Sequence, residues 1–173
     1  DHCARVGIDA TVETTAHEGC YRVARHVTER PLVSVVIPTR GTSGRVWGMT
    51  RAFVVEAVRS IVERSTYGAL EFVIVYDADT PDAVLHALRR LTGSSLTLVR
   101  FDEPFNFSAK VNLGVTHASG DLVLLLNDDT ELIEPASIEV LVGHLQTPGV
   151  AMAGAKLLFP DGTLQHGGHV YAR

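Results

Sequence analysis

The sequence lacks the features that mark several common classes of protein. It has only two cysteines, Cys3 and Cys20, with no CxxC or Cys/His ligand spacing, so no disulfide framework is predicted. Its apolar runs are far shorter than the roughly 20 residues that a membrane-spanning helix needs, and its first residues show no signal-peptide pattern. We therefore expect no membrane span in this chain and a cytoplasmic location.

Charge and glycine patterns exclude further classes. The 15 Lys and Arg residues against 20 Asp and Glu give a formal charge of −5, and no basic block is present. Nucleic-acid backbones are bound by clustered Lys and Arg, so no nucleic-acid partner is expected. No GxGxxG follows the first predicted strand, and no GxxxxGK followed by Ser or Thr occurs, so the dinucleotide fingerprint and the P-loop are both absent.

Short β-rich runs alternate with amphipathic segments along most of the chain. Strands are predicted at 32–37, where Pro38 ends the first one, and at 71–76, 96–101, 121–126 and 150–158. Helices are predicted at 51–64, from 82 onward, at 106–117 and at 135–146, and Asn106 is predicted to cap the third of them. A Gly-rich loop is predicted at 40–48 and a turn at Pro160-Asp161-Gly162. This alternation predicts an α/β fold with a doubly wound, mostly parallel sheet over residues 31–173, preceded by an N-terminal extension, residues 1–30, with two short strands.

The end of the fourth predicted strand is the most informative motif. Its apolar run, predicted to be a central strand covered on both faces, stops at Asn127, Asp128 and Asp129. Open α/β sheets bind ligands at the carboxyl ends of their strands. Clustered carboxylates repel one another, and a divalent cation relieves the repulsion while presenting positive charge to a phosphate. We therefore predict a site for Mg²⁺ or Mn²⁺ and a diphosphate, although turn chemistry alone also places Asp and Asn after strands.

Residues after the other strands are expected to line the same crevice. Arg40 and Lys110 are candidate direct partners of a phosphate, because Arg and Lys pair with phosphate oxygens. Lys110 and Asn112 both lie on a predicted helix, so each is either a ligand-binding residue or a solvated side chain. His166 and His169 are assigned a structural or acceptor-side role. The remaining crevice candidates from the strand ends are Pro38, Thr39, Asp77 and Asp79, together with the segment after the third strand, Asp102 to Asn106.

Three motifs carry a resemblance to a known family. They are SVVIPTRG at the first strand, PFNFSAKVNLGVTHASGDLVLLLNDDTELIEP in the middle, and GAKLLFPDGTLQHGGHVY near the end. In this order and spacing they resemble the family 2 glycosyltransferases of the GT-A fold, most of all the bacterial rhamnosyltransferase-like group that builds cell-surface polysaccharides. The resemblance implies a GT-A-like α/β/α sandwich.

The resemblance also implies roles for the site residues. The acidic cluster corresponds to the DXD motif of the family, with Asp129 as the main metal ligand and Asn127 in place of the commoner first Asp. Thr39 matches a position beside the nucleotide base, and Asn112 matches one near the nucleotide. The carboxylate that recognises the uracil or thymine ring is either Asp77 or Asp79.

The implied reaction is the metal-assisted transfer of a sugar from a UDP- or dTDP-sugar to a saccharide or lipid-linked acceptor, with inversion. The catalytic base is expected beyond Arg173, in a C-terminal part that this chain lacks, and parts of the longer protein are expected to reach the inner face of the membrane. Two alternatives remain at this point. One is a sugar-phosphate nucleotidyltransferase, which the segment RGTSGR matches poorly. The other is a non-catalytic nucleotide-binding fragment of a longer protein.

Overall fold

A computed structural model of the protein describes residues 2–46 and 48–168. Its contacts divide the chain into two compact units, Arg30–Pro135 and a second one made of Asp1–Glu29 with Ala136–Arg173. His169 lies outside the described residues, as do residues 170–173. No helix in the described part of the chain is long and apolar enough to cross a membrane.

Helices and strands alternate through most of the described chain. The strands are β1 (Ala10–Thr14), β2 (Tyr21–Arg25), β3 (Val33–Thr39), β4 (Ser43–Val46), β5 (Met49–Ala52), β6 (Leu70–Asp77), β7 (Leu96–Phe101), β8 (Leu122–Leu125), β9 (Leu157–Leu158) and β10 (Leu164–His166). The helices are α1 (His2–Arg5), α2 (Phe53–Arg64), α3 (Asp82–Thr92), α4 (Phe107–Thr116) and α5 (Ser137–Leu145).

The unit Arg30–Pro135 is built on a four-stranded parallel sheet in the order β7-β6-β3-β8. The chain runs outward from β3 through β6 to β7 and then returns to the other side of β3 as β8. The strand order therefore reverses between β3 and β8, which is the point where doubly wound sheets bind their ligands. The predicted α/β class with a doubly wound, mostly parallel sheet is confirmed.

The core of this unit lies on β3 and β6. All seven residues of β3 are buried, and the inner faces of α2 and α3 bury side chains such as Val58 and Leu88. Helix α4 packs closely on the sheet at Gly114, where a Cβ atom would lie 2.5 Å from Cγ1 of Val36. Because residues four apart share a helix face, this close packing also turns Lys110 toward the sheet.

A hydrogen-bonded carboxylate fixes the chain as it enters β8. Glu71 Oε1 accepts hydrogen bonds from Ser34 Oγ at 2.5 Å and from Ser119 N at 2.6 Å, and Gly120 N donates to Ser34 Oγ at 2.8 Å. Burial raises the pKa of the Glu71 carboxyl, but these donors outweigh it and the net pKa is lowered. A Cβ at Gly120 would lie 2.5 Å from the Leu32 carbonyl oxygen, so glycine fits this approach.

The sequence predicted that the first strand ends at Pro38, and this prediction is wrong. β3 continues through Thr39, and Pro38 pairs in register with Val75 of β6. In a parallel strand the N–H and C=O of one residue face the same neighbouring strand, and successive residues alternate between the two neighbours. The Val36 carbonyl faces β8, where it accepts a hydrogen bond from Leu126 N at 3.1 Å. Pro38 faces that side too, but the ladder with β8 ends at Leu125, so its missing N–H breaks no hydrogen bond.

The predicted Gly-rich loop at 40–48 and the predicted helix start at 51 are also wrong. Residues Ser43–Val46 and Met49–Ala52 pair as an antiparallel hairpin, and Gly48 adopts a φ of +82° at its turn. Such left-handed backbone is what tight hairpin turns require and what glycine tolerates. The hairpin takes up the first residues that were assigned to the helix, so α2 begins at Phe53.

The structure corrects two further strand predictions. β8 is an edge strand of the described sheet rather than a central one, and its residues alternate between half-buried and exposed, so only one face is covered. Of the predicted strand 150–158, only Leu157–Leu158 forms a paired strand, with β10 as its partner. The intervening turn at Pro160-Asp161-Gly162 is present, since Gly162 N donates to Phe159 O at 2.8 Å.

The other unit contains the predicted pair of N-terminal strands. β1 and β2 form an antiparallel hairpin in which Ala10 pairs with Arg25 and Thr14 with Tyr21. Helix α5 packs on β2 at Gly143, where a Cβ atom would lie 3.0 Å from the Arg25 carbonyl oxygen.

Candidate nucleotide site

Three of the candidate residues converge at the carboxyl ends of β3 and β8. Thr39, the last residue of β3, donates its hydroxyl to Asp128 Oδ2 at 2.6 Å. The same hydroxyl accepts from Gly41 N at 2.9 Å, which holds the threonine rotamer. Pro38 is buried in the strand just before it. This hydrogen bond places Asp128 at the point where the strand order reverses.

Lys110 is a fully buried cation at the end of the sheet. Its Nζ donates to the Thr39 carbonyl oxygen and to Asp77 Oδ1, both at 2.5 Å, and its side chain is 0% exposed. Nζ also lies 5.8 Å and 5.5 Å from the ring centroids of Phe101 and Phe105. A buried ammonium needs such partners. The sequence suggested either a direct phosphate contact or a solvated side chain, whereas the structure buries the cation at the carboxyl end of the sheet.

Arg40 lies on the outer side of the same carboxylate. Its side chain is 60% exposed, its Nε is 3.6 Å from Asp77 Oδ2, and its Cζ is 5.7 Å from the ring centroid of Phe105. The distance of 3.6 Å is an ion pair rather than a formed hydrogen bond. Asp77 therefore has one oxygen held by the buried Lys110 and the other facing an exposed side chain.

The acidic cluster concentrates negative charge. Burial raises the pKa of the Asp128 carboxyl, and the charge of Asp129 raises it further, while the Thr39 hydroxyl and the Lys110 ammonium oppose the rise. The net direction is upward, so ionised Asp128 is held in an unfavourable environment. A cation at this position relieves that repulsion.

Asn127 and Asp129 are exposed on either side of Asp128. Thr130 Oγ1 donates to the Asn127 carbonyl oxygen at 2.8 Å, so the segment is a turn as well as a cluster of oxygen ligands. No group of three His, Cys, Asp or Glu side chains suited to a metal ion occurs within residues 2–46 and 48–168. The residues nevertheless fit Mg²⁺ or Mn²⁺, because such ions are bound by one or two carboxylates together with substrate phosphates rather than by a complete protein cage.

Two candidates stand apart from this cluster. Asp79 is exposed, two residues beyond Asp77, in a turn closed by a hydrogen bond from Thr80 N to Asp77 O at 3.0 Å. Asn112 is exposed on α4. It follows Lys110 by two positions, which turns it about 200° around the helix from the buried cation.

The sequence placed Asp102 to Asn106 along the crevice, but it gave no role to the aromatic ring of Phe105 in this segment. Phe105 follows β7 and is 53% exposed, yet its ring is within reach of both Arg40 and Lys110. The signal for it was its place in the segment after the third strand, just before Asn106. Asn106 is a helix cap, as its sequence context also suggests, and its side chain accepts from Ala109 N at 3.0 Å.

Comparison with curated proteins finds two long relatives. An uncharacterized protein y4gI of Sinorhizobium fredii is 37% identical over 152 residues, which are 87% of this chain and 16% of that protein. The O-antigen biosynthesis protein RfbC of Myxococcus xanthus is 33% identical over 170 residues, 98% of this chain and 13% of that protein. The chain thus spans less than a fifth of the length of either relative.

Solved structures share the fold. A mannosyltransferase from Pyrobaculum calidifontis, PcManGT, in complex with GDP-Man and Mn²⁺, superimposes with a TM-score of 0.58 at 26% identity, over 71% of this chain and 34% of that one. TarS of S. aureus superimposes with a TM-score of 0.52 at 17% identity, over 66% of this chain and 19% of that one.

The sequence profile described as glycosyl transferase family 2 matches residues 34–171, most of the chain, including every residue of the site described above. The parallel sheet, its reversed strand order and the acidic turn after β8 agree with that match. The chain belongs to glycosyl transferase family 2.

Proposed function

We propose that this chain binds the activated donor of a glycosyltransferase that moves a sugar from a UDP- or dTDP-sugar to a saccharide or lipid-linked acceptor, with inversion. The proposal assigns residues 31–173 to the nucleotide-sugar-binding part and residues 1–30 to an extension, in a cytoplasmic protein. The observation that carries it is the chain of hydrogen bonds joining Asp128, Thr39, Lys110 and Asp77 where the strand order reverses.

The acidic turn is the proposed place of the diphosphate. Asp129 and Asn127, with Asp128 behind them, would hold Mg²⁺ or Mn²⁺, which neutralises charge on the departing nucleoside diphosphate. Asp128 adds its charge to the site while Thr39 fixes its orientation. The Mn²⁺ bound in the 26% identical mannosyltransferase complex supports this role.

Asp77 is the proposed partner of the nucleobase. Lys110 occupies its Oδ1, so Oδ2 is the oxygen that faces the exposed side. A uracil or thymine ring offers one imide N–H, and one carboxylate oxygen satisfies it. Guanine offers two adjacent N–H donors, which pair best with both oxygens of a carboxylate. The geometry thus supports a pyrimidine nucleotide here, unlike the GDP-Man bound by the mannosyltransferase, and it favours Asp77 over the exposed Asp79.

The proposed acceptor class rests on the relatives. A relative that matches nearly this whole chain is an O-antigen biosynthesis protein. A saccharide or lipid-linked acceptor in cell-surface polysaccharide synthesis is consistent with that name. The hairpin at Ser43–Val46 weakens the nucleotidyltransferase alternative, because the stretch after β3 pairs as strands instead of forming an open phosphate-binding loop.

Calorimetric titration with UDP, dTDP and GDP, each with and without Mn²⁺, tests the proposal. We expect UDP or dTDP to bind more tightly than GDP, and Mn²⁺ to strengthen binding by at least about tenfold through neutralisation of the diphosphate charge. Asp129→Ala should remove the Mn²⁺ effect, whereas the exposed Asp161→Ala, in the other unit, should keep it. Binding of none of the three nucleotides, or equal binding with and without metal, would contradict the proposal.

A further inference from the structure

The Asp77–Phe105 surface, formed by Asp77 Oδ2 and the exposed ring of Phe105, has a resident partner in this chain. Arg40 places its Nε 3.6 Å from that oxygen and its Cζ 5.7 Å from the ring centroid. Both contacts are made by one planar group that carries N–H donors. The other oxygen of the carboxylate, Oδ1, is held by Lys110, whose side chain is fully buried.

A pyrimidine base presents the same chemistry as the Arg40 guanidinium. Each is flat, each stacks on an aromatic ring, and each offers an N–H to a carboxylate oxygen. Asp77 Oδ2 and the Phe105 ring can therefore serve only one of them well at a time. Arg40 is the replaceable partner, because its side chain is 60% exposed and its ion pair is longer than a hydrogen bond.

We propose that Phe105 is a stacking residue for the nucleobase and that Arg40 competes with the base for the Asp77–Phe105 surface. Base binding then requires the guanidinium to leave both contacts, so Arg40 lowers the affinity for the base itself. This inference rests on the proposed function, since it assigns two further residues to the same nucleotide site. Phe105 sets the gain from stacking, and Arg40 sets the cost of exposing the surface.

Uridine, which carries no phosphate, isolates this effect from any contact of Arg40 with a diphosphate. Exposed ion pairs and exposed cation–π contacts are each weak, so Arg40→Ala should raise uridine affinity by about two- to tenfold. Base stacking is stronger, so Phe105→Ala should lower uridine affinity by at least about fivefold. Arg45→Ala and Phe107→Ala are the matched controls, since Arg45 is exposed in the adjacent hairpin and Phe107 is 50% exposed two residues along.

Salt provides a readout that a merely structural role of Arg40 would not move. Raising NaCl screens the Arg40–Asp77 pair and leaves uncharged uridine unaffected, so uridine affinity of the unmodified protein should rise with salt. In Arg40→Ala the affinity should not depend on salt. Affinities come from NMR titration, with circular dichroism to confirm that each variant is folded.

The outcomes separate this inference from the proposed function. If the unmodified protein binds neither UDP nor dTDP, the proposed function fails and the competition idea falls with it. If it binds them but Arg40→Ala leaves uridine affinity unchanged or weaker, or Phe105→Ala matches Phe107→Ala, only the inference is overturned.

Discussion

Replacing Lys110 by methionine removes a cation that the fold has enclosed completely. The ammonium is 0% exposed and donates to Asp77, whose side chain is 15% exposed, and to the Thr39 carbonyl. Methionine keeps most of the volume, so packing changes little. The loss is electrostatic, because the Asp77 carboxylate keeps only the exposed Arg40 at 3.6 Å and the Thr39 carbonyl loses its donor.

Breaking a buried ion pair by removing one partner costs about 3–5 kcal/mol of unfolding free energy. A domain of this size is stabilised by only about 5–15 kcal/mol in total, so the expected fall in melting temperature is roughly 6–20 °C. Lys110→Met combined with Asp77→Asn should recover much of the loss, because no unpaired charge then remains.

The sequence supplies a matched control, because its only other lysine is Lys156, which is exposed. Lys156→Met should change stability by less than about 0.5 kcal/mol. Urea unfolding followed by circular dichroism compares the variants, and mass spectrometry after amine acetylation of the folded protein should find Lys156 modified and Lys110 protected. Equal stability of the two single variants, or acetylation of Lys110 in the folded state, would refute the reasoning.

Three further predictions follow from charge and packing. Because the pKa of Asp128 is raised in the folded protein, the stability that its carboxyl contributes is present below the ordinary aspartate pKa and is lost as pH rises through the folded pKa. In the absence of metal, Asp128→Asn should therefore unfold at a higher urea concentration than the parent at pH 7, but not at pH 3. Glu71 has the opposite sign, because its lowered pKa gives stability that is lost as pH falls, so Glu71→Gln should be less stable than the parent at pH 7, with the gap closing in acid urea titrations. Gly114→Ala places a Cβ 2.5 Å from Val36 Cγ1, so overpacking of about 1–3 kcal/mol should outweigh the gain in helix propensity, whereas Gly68→Ala, with open space, should lower the melting temperature less.

Local sequence patterns predicted the structural features that depend only on residues close together in the chain. The strands near 71–76 and 96–101 were predicted because continuous apolar runs suit buried parallel strands, and the structure has them as β6 and β7. The cap at Asn106 was predicted for the same reason, since the side chain bonds to a backbone N–H three residues away. The acidic turn was also visible, because its residues are consecutive.

Features that depend on contacts between distant segments could not be predicted from local sequence patterns. Pro38 was taken as a strand end because proline lacks an N–H, and only the shorter ladder of β8 shows that no hydrogen bond is lost there. The strand 121–126 was assigned to the interior from its apolar run, whereas pairing makes it the edge of the described sheet.

The chain's own residues determined its family, through the order and spacing of three motifs, and they determined the alternation of strands and helices and the acidic turn at the proposed nucleotide site, because these are encoded by neighbouring residues. The tertiary structure alone decided that Lys110 is a buried cation hydrogen-bonded to Asp77, that Asp79 is exposed, and that Arg40 lies near both Asp77 and the Phe105 ring. Three contacting pairs, Lys110–Asp77, Arg40–Asp77 and Arg40–Phe105, are separated by 33, 37 and 65 positions, and only the packing of α4 and of the parallel strands brings them within a few ångströms. Electrostatic roles follow from that proximity and from burial, neither of which a residue type carries by itself.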